Sequence, residues 1–235
     1  MTDSFIDVCI PMHNAFDYVI KCINSLHINT KEKIRLVIHD DASDEENATL
    51  VKTFAEHCSA PILLSRSDHQ CWFTTSVNRC LQHVRSEWVL VINSDVQVLD
   101  GEWLDKLIRI HTSHPKCGLI GCPDNTLGQE LCQETWQKVQ GHFWFFNSSN
   151  LPLVGFLDES NQDNIHIRSD DEWSERWRKH GFRTFIATNL QHRHGGDSYP
   201  AGGASWGRNL AIMPTRHEHV ALARSTPAKV LVNKW

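Results

Sequence analysis

The sequence predicts an α/β fold with a mostly parallel central sheet flanked by helices. Short apolar runs alternate with helically spaced apolar residues through the first 117 residues, a pattern typical of βαβ units. Polar residues follow the first, second and fourth apolar runs, as PMHN, HDDASD and NSD. The composition, 40% hydrophobic and 22% charged over 235 residues, is that of an ordinary globular chain. We therefore expect a single domain over residues 1–235.

The first half begins with a strand and a helix. FIDVCI, at residues 5–10, is predicted to be a strand that Pro11 ends, because proline has no N–H to donate to a ladder. A helix is expected from Tyr18, where apolar residues recur at helical spacing, and Asn14 is expected to cap it. The other elements predicted in this half are a strand at 34–38, a helix through 50–54, a weaker strand at 61–64, a helix at 76–84, a strand from 89 and a helix through 103–108.

The second half is less regular. GHFWFF (141–146) is predicted to be a strand whose aromatic residues pack in the core or line a substrate wall. LVGFLDE (153–159) is expected to be a loop that enters a short helix. DDEWSERWRKH (170–180) is predicted to be a helix, since acids begin it and bases end it, with Gly181 directly after it. A further strand is expected at 182–186.

The composition disfavours several classes of protein. No apolar run approaches the roughly 20 residues that span a bilayer, and the acidic N-terminus, MTDSFIDVCIPMHN, lacks the basic start of a signal peptide. We therefore expect no integral membrane segment and a cytoplasmic location. The eight cysteines are expected to be thiols in a reducing compartment. The spacing of Cys117 and Cys122 is a poor zinc signature.

The charge is unevenly distributed along the chain. The net charge of −5 combines +8 over residues 176–235, from ten basic and two acidic residues, with −13 over the first 175 residues. We divide the domain into a regular half at 1–117, a less regular half at 118–200 and a basic C-terminal tail at 201–235. The basic region either contacts something anionic or only balances an acidic body.

In the segment VLVINSDVQVLDGEWL (89–104), a predicted buried strand is directly followed by Asn93, Ser94 and Asp95. These residue types also form ordinary turns through local hydrogen bonds. Ligands of open α/β sheets, however, bind beyond the carboxyl ends of the strands, near a topological switch point. Asp95 is therefore a candidate ligand of a hard divalent cation that also meets phosphate oxygens. His194 could complete the shell, because imidazole suits Mn²⁺ better than Mg²⁺.

Two further acidic pairs are candidate site residues. Asp40 and Asp41 follow the second strand and either accept N–H groups of a nucleobase or build a turn. Asp170 and Asp171 begin a predicted helix. They either supply a general base, since mutual repulsion raises one pKa, or only complement the helix dipole. No Gly-x-Gly-x-x-Gly or Gly-x-x-x-x-Gly-Lys-Ser/Thr loop is present, which disfavours a dinucleotide or P-loop site.

Several segments, taken in order, resemble a known enzyme family. CIPMHNAFDYVIKCINSL, LVIHDDASDEEN, WFTTSVNRCL and WVLVINSDVQVLDGEWL resemble glycosyltransferase family 2, the inverting nucleotide-sugar transferases of the GT-A fold. VGFLDE, SDDEWSERWRKHGF and HGGDS continue the resemblance, which covers roughly residues 5 to 200. It implies a Rossmann-like sheet in which residues 1–117 form the nucleotide-sugar-binding half and residues 118–200 a smaller acceptor-side, catalytic half. One departure is that HQC (69–71) stands in place of the family's glycine-rich turn before WFTTSVN.

The resemblance implies a pocket for a nucleoside diphosphate sugar, with UDP as the expected nucleotide. Pro11 and Asn14 would line this pocket. Asp41, together with Asp40 beside it, would read the base. The acceptor would be a glycan, a small molecule or, given the basic tail, an anionic polymer such as DNA with a modified base.

The resemblance also implies a metal site. Asn93-Ser94-Asp95 stands at the position of the family's metal-binding Asp-x-Asp. Asp95 would bind Mn²⁺ or Mg²⁺, while Asn93 and Ser94 would face the sugar and the diphosphate. The metal-site histidine would be His194, with His192 as the fallback.

The catalytic residues follow from the same resemblance. Ser169-Asp170 matches the family's acidic-Asp motif, which makes Asp170 the expected catalytic base. Serine replaces the usual first acid, so Asp171 or Glu172 would supply the missing carboxylate. Arg176 matches an arginine on the following helix. The implied reaction is a single displacement with inversion, in which Asp170 takes the acceptor proton and the metal neutralises the departing diphosphate.

Two other functions are compatible with parts of the pattern. A nucleotidyltransferase acting on sugar phosphates shares a nucleotide-binding α/β core and a metal aspartate, but PMHNAFDY lacks the glycine-rich loop and the basic residue of that class. A non-catalytic nucleotide-sugar-binding protein is the third hypothesis. The presence together of Asp41, Asp95, Asp170 and His194 favours an enzyme that transfers a hexose or a pentose.

Overall fold

The computed structural model describes residues 5–123, 128–160, 169–195 and 227–235. The strands are β1 Phe5–Met12, β2 Lys33–Asp41, β3 Ile62–Ser67, β4 Trp88–Ile92, β5 Val96–Val98, β6 Cys117–Gly121, β7 Gln133–Glu134, β8 Phe143–Asn147, β9 Arg183–Ile186, β10 His192–His194 and β11 Lys229–Lys234. The helices are α1 Phe16–Asn29, α2 Glu45–His57, α3 Trp72–Leu81, α4 Trp103–Ser113, α5 Leu151–Val154 and α6 Ser169–Lys179. Within these ranges, no helix is both long and apolar enough to cross a membrane.

A nine-stranded sheet forms the centre of the molecule, in the order β11-β3-β2-β1-β4-β8-β6-β9-β7. Six of its strands (β1 to β4, β6 and β9) run in one direction, and β7, β8 and β11 run in the other. The predicted mostly parallel sheet is therefore confirmed. The reversed β8 lies between β4 and β6 and joins the two predicted halves into one sheet.

The strand order creates a topological switch point between β1 and β4. The chain runs from β1 to β2 and β3 on one side, then returns to place β4 on the other side of β1. The carboxyl ends of the two strands therefore diverge into separate loops and leave a crevice, which is where open α/β sheets bind ligands. PMHN contains the last two residues of β1 and the start of the loop after it, and NSD directly follows β4.

Helices cover both faces of the sheet. Leu90 and Ile92 of β4 pack into one core with α1, α2 and α4, whereas Val89 and Val91 pack into the other with α3 and α6. This alternation follows from the two-residue period of a strand. Burial on both faces explains why the strand reads as an unbroken apolar run rather than as an alternating one.

The aromatic run of β8 belongs to the core. Its aromatic residues, Phe143, Trp144, Phe145 and Phe146, are fully buried. Trp144 packs against Trp173 of α6, with ring centroids 4.8 Å apart, and its indole N–H donates to the carbonyl of Val139. Of the two alternatives for these residues, core packing is therefore correct and a substrate wall is not.

Two predictions about the first loop are wrong. β1 continues through Pro11 to Met12. This is tolerated because β4 pairs with β1 only as far as Cys9, so Pro11 pairs with a strand on one side alone, at His39. Asn14 does not cap α1: the residue before the helix is Ala15, with no side-chain cap. Asn14 instead accepts a hydrogen bond from the backbone N–H of Asp44, 2.9 Å away.

Two helix boundaries also differ from prediction. α3 begins at Trp72, four residues before the predicted start, because backbone N–H groups at its first turn are satisfied by a buried carboxylate described below. In the segment 153–159 the short helix comes first, as α5, and the loop follows it. The asparagine-initiated turn at Ser148–Asn150 leads directly into Leu151, so the helix forms at that end.

Two elements lie outside the central alternation. β10 pairs with β5 in a separate two-stranded antiparallel sheet. β11, in the predicted basic tail, pairs with β3 at the edge of the sheet. Residues 196–226, which hold three of the ten basic residues of 176–235, lie outside the described residues. All eight cysteines are free thiols, as expected, and burial raises the pKa of Cys117 to about 12.

Candidate functional site

Asp95 and His194 come together at the carboxyl end of β4. The Oδ1 atom of Asp95 lies 3.6 Å from Nε2 of His194, and both side chains are about three-quarters buried. Two ligands that each lie about 2.1 Å from one cation are about 3.0 Å apart at a right angle and about 4.2 Å apart when opposite. The observed spacing therefore fits two ligands of one divalent ion.

The small β5–β10 sheet brings these two residues together. The backbone N–H of Val96 donates to the carbonyl of Asn93, which closes a turn through Ser94 and Asp95. Val96 then pairs with His194 across the two strands, and the N–H of Gly195 donates to the carbonyl of Asp95, 3.1 Å away. The turn chemistry of NSD and its candidate metal role are thus compatible.

Two more histidines surround this pair. His142, directly before β8, stacks on His194 with ring centroids 4.3 Å apart, and on His192 at 5.6 Å. The carbonyl of His142 accepts the backbone N–H of Asn93, 2.9 Å away. His192, the fallback metal ligand, also lies against Phe143.

The predicted base-reading aspartates are both buried and hydrogen-bonded within the protein. Asp41 accepts backbone N–H groups of Cys71 and Trp72, the latter at 2.8 Å. Burial raises its pKa, and these N–H groups partly offset the increase. Asp40 forms an ion pair with Arg66 and accepts the N–H of Ser43. Direct reading of a base by either carboxylate stays a prediction.

Pro11 and Asn14 lie at the switch point. Pro11 is buried at the end of β1. The backbone N–H of Asn14 donates to Oγ of Ser43, 2.7 Å away, and its side chain accepts from Asp44. Asn14 therefore ties the loop after β1 to the loop after β2, and it does so in the left-handed backbone region, at φ 58°.

Asp170 lies in a desolvated position at the start of α6. Its carboxylate is 3.6 Å from Nζ of Lys138. Burial raises the pKa of Asp170, the charge of Lys138 lowers it, and the neighbouring Asp171 raises it. A carboxyl group with a raised pKa and a nearby cation is suited to accept a proton.

The other predicted residues of α6 contact one another. Arg176 pairs with Glu172 through two nitrogens and also donates to the carbonyl of Phe156. These contacts join α6 to the loop after α5. Glu172, Arg176 and Asn78 line a cavity of about 450 Å³ there. Asp171 is more than half exposed and only 4.0 Å from Lys138. Asp171 and Glu172 are the two candidates for the carboxylate that Ser169 lacks. Asp171 is the one that lies beside the Lys138–Asp170 ion pair, whereas Glu172 pairs with Arg176.

A second group of metal-ligand types lies beneath the start of α3. Donor atoms of His39, Asp41 and Cys71 lie within 4.8 Å of one another and are buried. Burial lowers the pKa of His39 to about 3 and raises that of Cys71, so the pair is uncharged. His39 hydrogen-bonds Ser65, and Asp41 holds the start of α3. We interpret this group as a hydrogen-bonded support for that helix.

Sequence reasoning missed three residues of the site. Lys138 belongs to no motif, and its contact with Asp170 arises only from folding. Arg66 lies in β3, after the apolar residues of that strand, and pairs with Asp40 of β2. His142 directly precedes the predicted aromatic strand, but it reaches the carboxyl edge of the parallel strands, where ligands bind, only because β8 runs antiparallel to β4.

The fold is similar to that of solved GT-A glycosyltransferases. A mannosyltransferase from Pyrobaculum calidifontis, PcManGT in complex with GDP-Man and Mn²⁺, matches with a TM-score of 0.67 at 13% identity, over 94% of this chain and 68% of that one. TarS 1-349 of S. aureus in complex with UDP-GlcNAc matches at 0.63 and 13% identity, over 94% and 66%. Another TarS 1-349 structure matches at 0.62 and 12% identity, over 82% and 60%. The chain therefore spans about two thirds of the length of these proteins, or less.

The chain belongs to glycosyl transferase family 2. The model of that family matches residues 7–212, which is most of the chain. This confirms the resemblance drawn from the ordered motifs. No curated protein matches the sequence.

Proposed function

We propose that this domain transfers a hexose or pentose from a nucleoside diphosphate sugar, with UDP as the nucleotide, to an acceptor hydroxyl with inversion. The observation that carries the proposal is the 3.6 Å approach of Asp95 and His194 at the carboxyl end of β4, beside the β1–β4 switch point. Structures of fold neighbours in complex with GDP-Man and UDP-GlcNAc support the donor class.

The proposed reaction is one direct displacement. The acceptor oxygen attacks the anomeric carbon while the bond from that carbon to the diphosphate oxygen breaks. Asp170 accepts the proton of the acceptor hydroxyl, and the nucleoside diphosphate leaves with the bonding electrons. The charge of Lys138 lowers the pKa of Asp170, against the increase that burial causes, and so favours the ionised form that a general base requires.

Asp95 and His194 are the residues proposed to hold a divalent cation, either Mn²⁺ or Mg²⁺. A bound cation would neutralise charge on the diphosphate leaving group. An imidazole ligand favours Mn²⁺ over Mg²⁺. The Mn²⁺ in the PcManGT complex supports this choice.

The test separates donor binding from turnover. The variants are Asp95→Asn and Asp170→Asn, and the donors are UDP- and GDP-sugars. Asp170→Asn is expected to keep Mn²⁺-dependent donor binding by calorimetry but to lose donor turnover by about a hundredfold or more. Asp95→Asn is expected to lose the Mn²⁺-dependent part of donor binding, as EDTA would in the native protein.

The matched control is Asp105→Asn, an exposed aspartate in the first turn of α4, which is expected to change neither measurement. Normal turnover by Asp170→Asn would remove that residue from the catalytic role. Donor binding that is insensitive to both EDTA and Asp95→Asn would reject the metal site.

The acceptor and the cellular location stay predictions. An anionic polymer as acceptor rests on the basic charge of residues 176–235, of whose ten basic residues seven belong to the described part of the chain. Binding to DNA that weakens steeply with salt would support it. The expected cytoplasmic location rests on sequence composition alone.

A further inference from the structure

Three imidazole rings stack beside Asp95. The ring of His142 contacts both other histidines, with centroids 4.3 Å from His194 and 5.6 Å from His192. The planes deviate from parallel by only 12° and 15°. His142 is therefore the member that connects the stack.

His142 is fixed to the rigid part of the molecule. His142 is buried, with only 4% of its surface exposed. Its carbonyl accepts the N–H of Asn93, and the next residue, Phe143, pairs with Ile92 of β4. The backbone of His142 is thus held by the central sheet and by the same loop that carries Asp95.

His194 has much weaker support from its own element. It ends a three-residue strand whose partner is the equally short β5. Short two-stranded pairs are of marginal stability on their own. The backbone pairing brings His194 near Asp95, but a rotation about its side-chain bonds would turn Nε2 away from the carboxylate. Contact with a fixed ring restricts that rotation.

Both parallel and tilted aromatic pairs occur in this protein, and the core pair Trp88–Phe145 is stacked with an interplanar angle of 10°. The aromatic pairs around Trp173 are tilted or edge-to-face, with interplanar angles of 57° to 88°. Offset-stacked and edge-to-face pairs are both favoured arrangements of aromatic side chains. A parallel imidazole pair fixes the plane of both rings, which matters when one ring must direct a nitrogen at a cation.

We propose that His142 is a positioning residue of the metal site: its ring sets the plane of His194 so that Nε2 faces the cation shared with Asp95. This inference rests on the metal site of the proposed function. It makes His142 a determinant of metal affinity, although it is not itself a ligand. Residues that orient a metal-binding histidine typically contribute tenfold to a hundredfold in metal affinity.

The test measures Mn²⁺ affinity by electron paramagnetic resonance in the presence of UDP and, separately, GDP. The variants are His194→Ala, His142→Ala, His142→Phe and His142→Gln. His194→Ala and His142→Ala are each expected to weaken Mn²⁺ binding about tenfold or more. His142→Phe keeps a ring to stack on and should restore most of the affinity, whereas His142→Gln keeps polar atoms without a ring and should not.

A second readout follows the ligand directly. Pulsed paramagnetic resonance of bound Mn²⁺ is expected to show nitrogen modulation from His194 in the native protein and in His142→Phe, with a smaller amplitude in His142→Gln. Because His142→Phe keeps a ring and His142→Gln keeps polar atoms at the same buried position, this comparison decides the matter even where His142→Ala does not fold.

The outcomes separate the two proposals. Weak binding by His194→Ala together with native binding by His142→Ala would overturn the role of His142 alone. Native binding by His142→Gln with weak binding by His142→Phe would also overturn it, since polar contacts rather than stacking would then act. Native binding by His194→Ala would reject both the metal site and this inference.

Discussion

Lys138 is the single residue whose charge most directly affects the proposed base. Its ammonium group lies 3.6 Å from Asp170 and 4.0 Å from Asp171. Burial raises the pKa of Asp170 and Lys138 opposes that increase. Because Lys138 is nearly half exposed, solvent and salt screen this interaction, so its effect belongs in a pH profile rather than in protein stability.

Substitution of Lys138 is expected to move the acidic limb of the pH–rate profile. A general base works only when ionised, so activity falls as pH drops below the pKa of Asp170. Lys138→Met removes the charge that lowers this pKa, and the acidic limb of kcat/KM should shift to higher pH. Asp171→Asn removes the charge that raises it and should shift the limb to lower pH. Lys179→Met, at the exposed far end of α6, is the control.

The same limb position in all three variants would contradict the assignment of Asp170 as the titrating base. The two opposite shifts are the diagnostic feature, because a general loss of folding would not move the limb in different directions. The measurement is kcat/KM for the donor against pH at fixed ionic strength.

At the scale of an element, α6 connects the candidate base to the core. Its buried face carries Trp173 and Trp177, while Asp170 stands at its first turn. The helix ends at Lys179. It is followed by Gly181, which has φ +83° and whose N–H donates to the carbonyl of Arg178. Only glycine adopts this left-handed geometry without a steric penalty.

Gly181→Ala is expected to destabilise the protein by about 1 kcal/mol, the cost of placing a side chain in the left-handed region. A Cβ atom there would meet nothing within 4 Å, so the whole effect is backbone strain. Gly101→Ala is the control, since its Cβ would meet nothing closer than 4.0 Å and its φ is not positive. Equal free energies of urea unfolding for the two variants would contradict the role of Gly181.

The start of α3 has an unusual backbone conformation. The family's glycine-rich turn is absent before this helix, and Trp72 at its first position adopts φ 65°. A bulky residue in that region is an outlier. The two N–H bonds from Cys71 and Trp72 to Asp41 hold the strained turn in place.

At the scale of the whole molecule, the last residue joins distant parts of the chain. The ring of Trp235 lies 4.4 Å from the guanidinium of Arg35 and 4.4 Å from that of Arg85. Arg35 in turn pairs with the fully buried Asp7 of β1. Trp235, directly after β11, thus contacts Arg35 of β2 and Arg85 before β4, and Arg35 connects it to Asp7 of β1.

Trp235→Ala is expected to lower stability by about 1–2 kcal/mol, because two cation–π contacts are lost. In a domain of this size each kcal/mol lowers Tm by about 2–4 °C. Trp235→Phe should retain part of the effect. The control is Leu231→Ala, on β11 and partly exposed, which should lower Tm less than Trp235→Ala does. A larger loss of Tm in Leu231→Ala would contradict the role of the cation–π contacts.

Much of the site could be predicted because its signals are local. Asp170 begins a helix with acids in its first turn, and Asp95 follows a buried strand. The partners could not be predicted in the same way. Lys138 reaches Asp170, and Asn14 reaches Asp44, only after the chain has folded. Contacts between residues far apart in sequence depend on strand order, which no local pattern encodes.

By itself, the sequence determined the succession of strands and helices, the polar ends of β1, β2 and β4, and the family. Apolar periodicity and turn chemistry act over a few residues, so they can be read directly. Only the tertiary structure decided that β8 runs antiparallel between β4 and β6, that β10 brings His194 to Asp95, and that His142 stacks on it. These results follow from packing and pairing across the whole sheet.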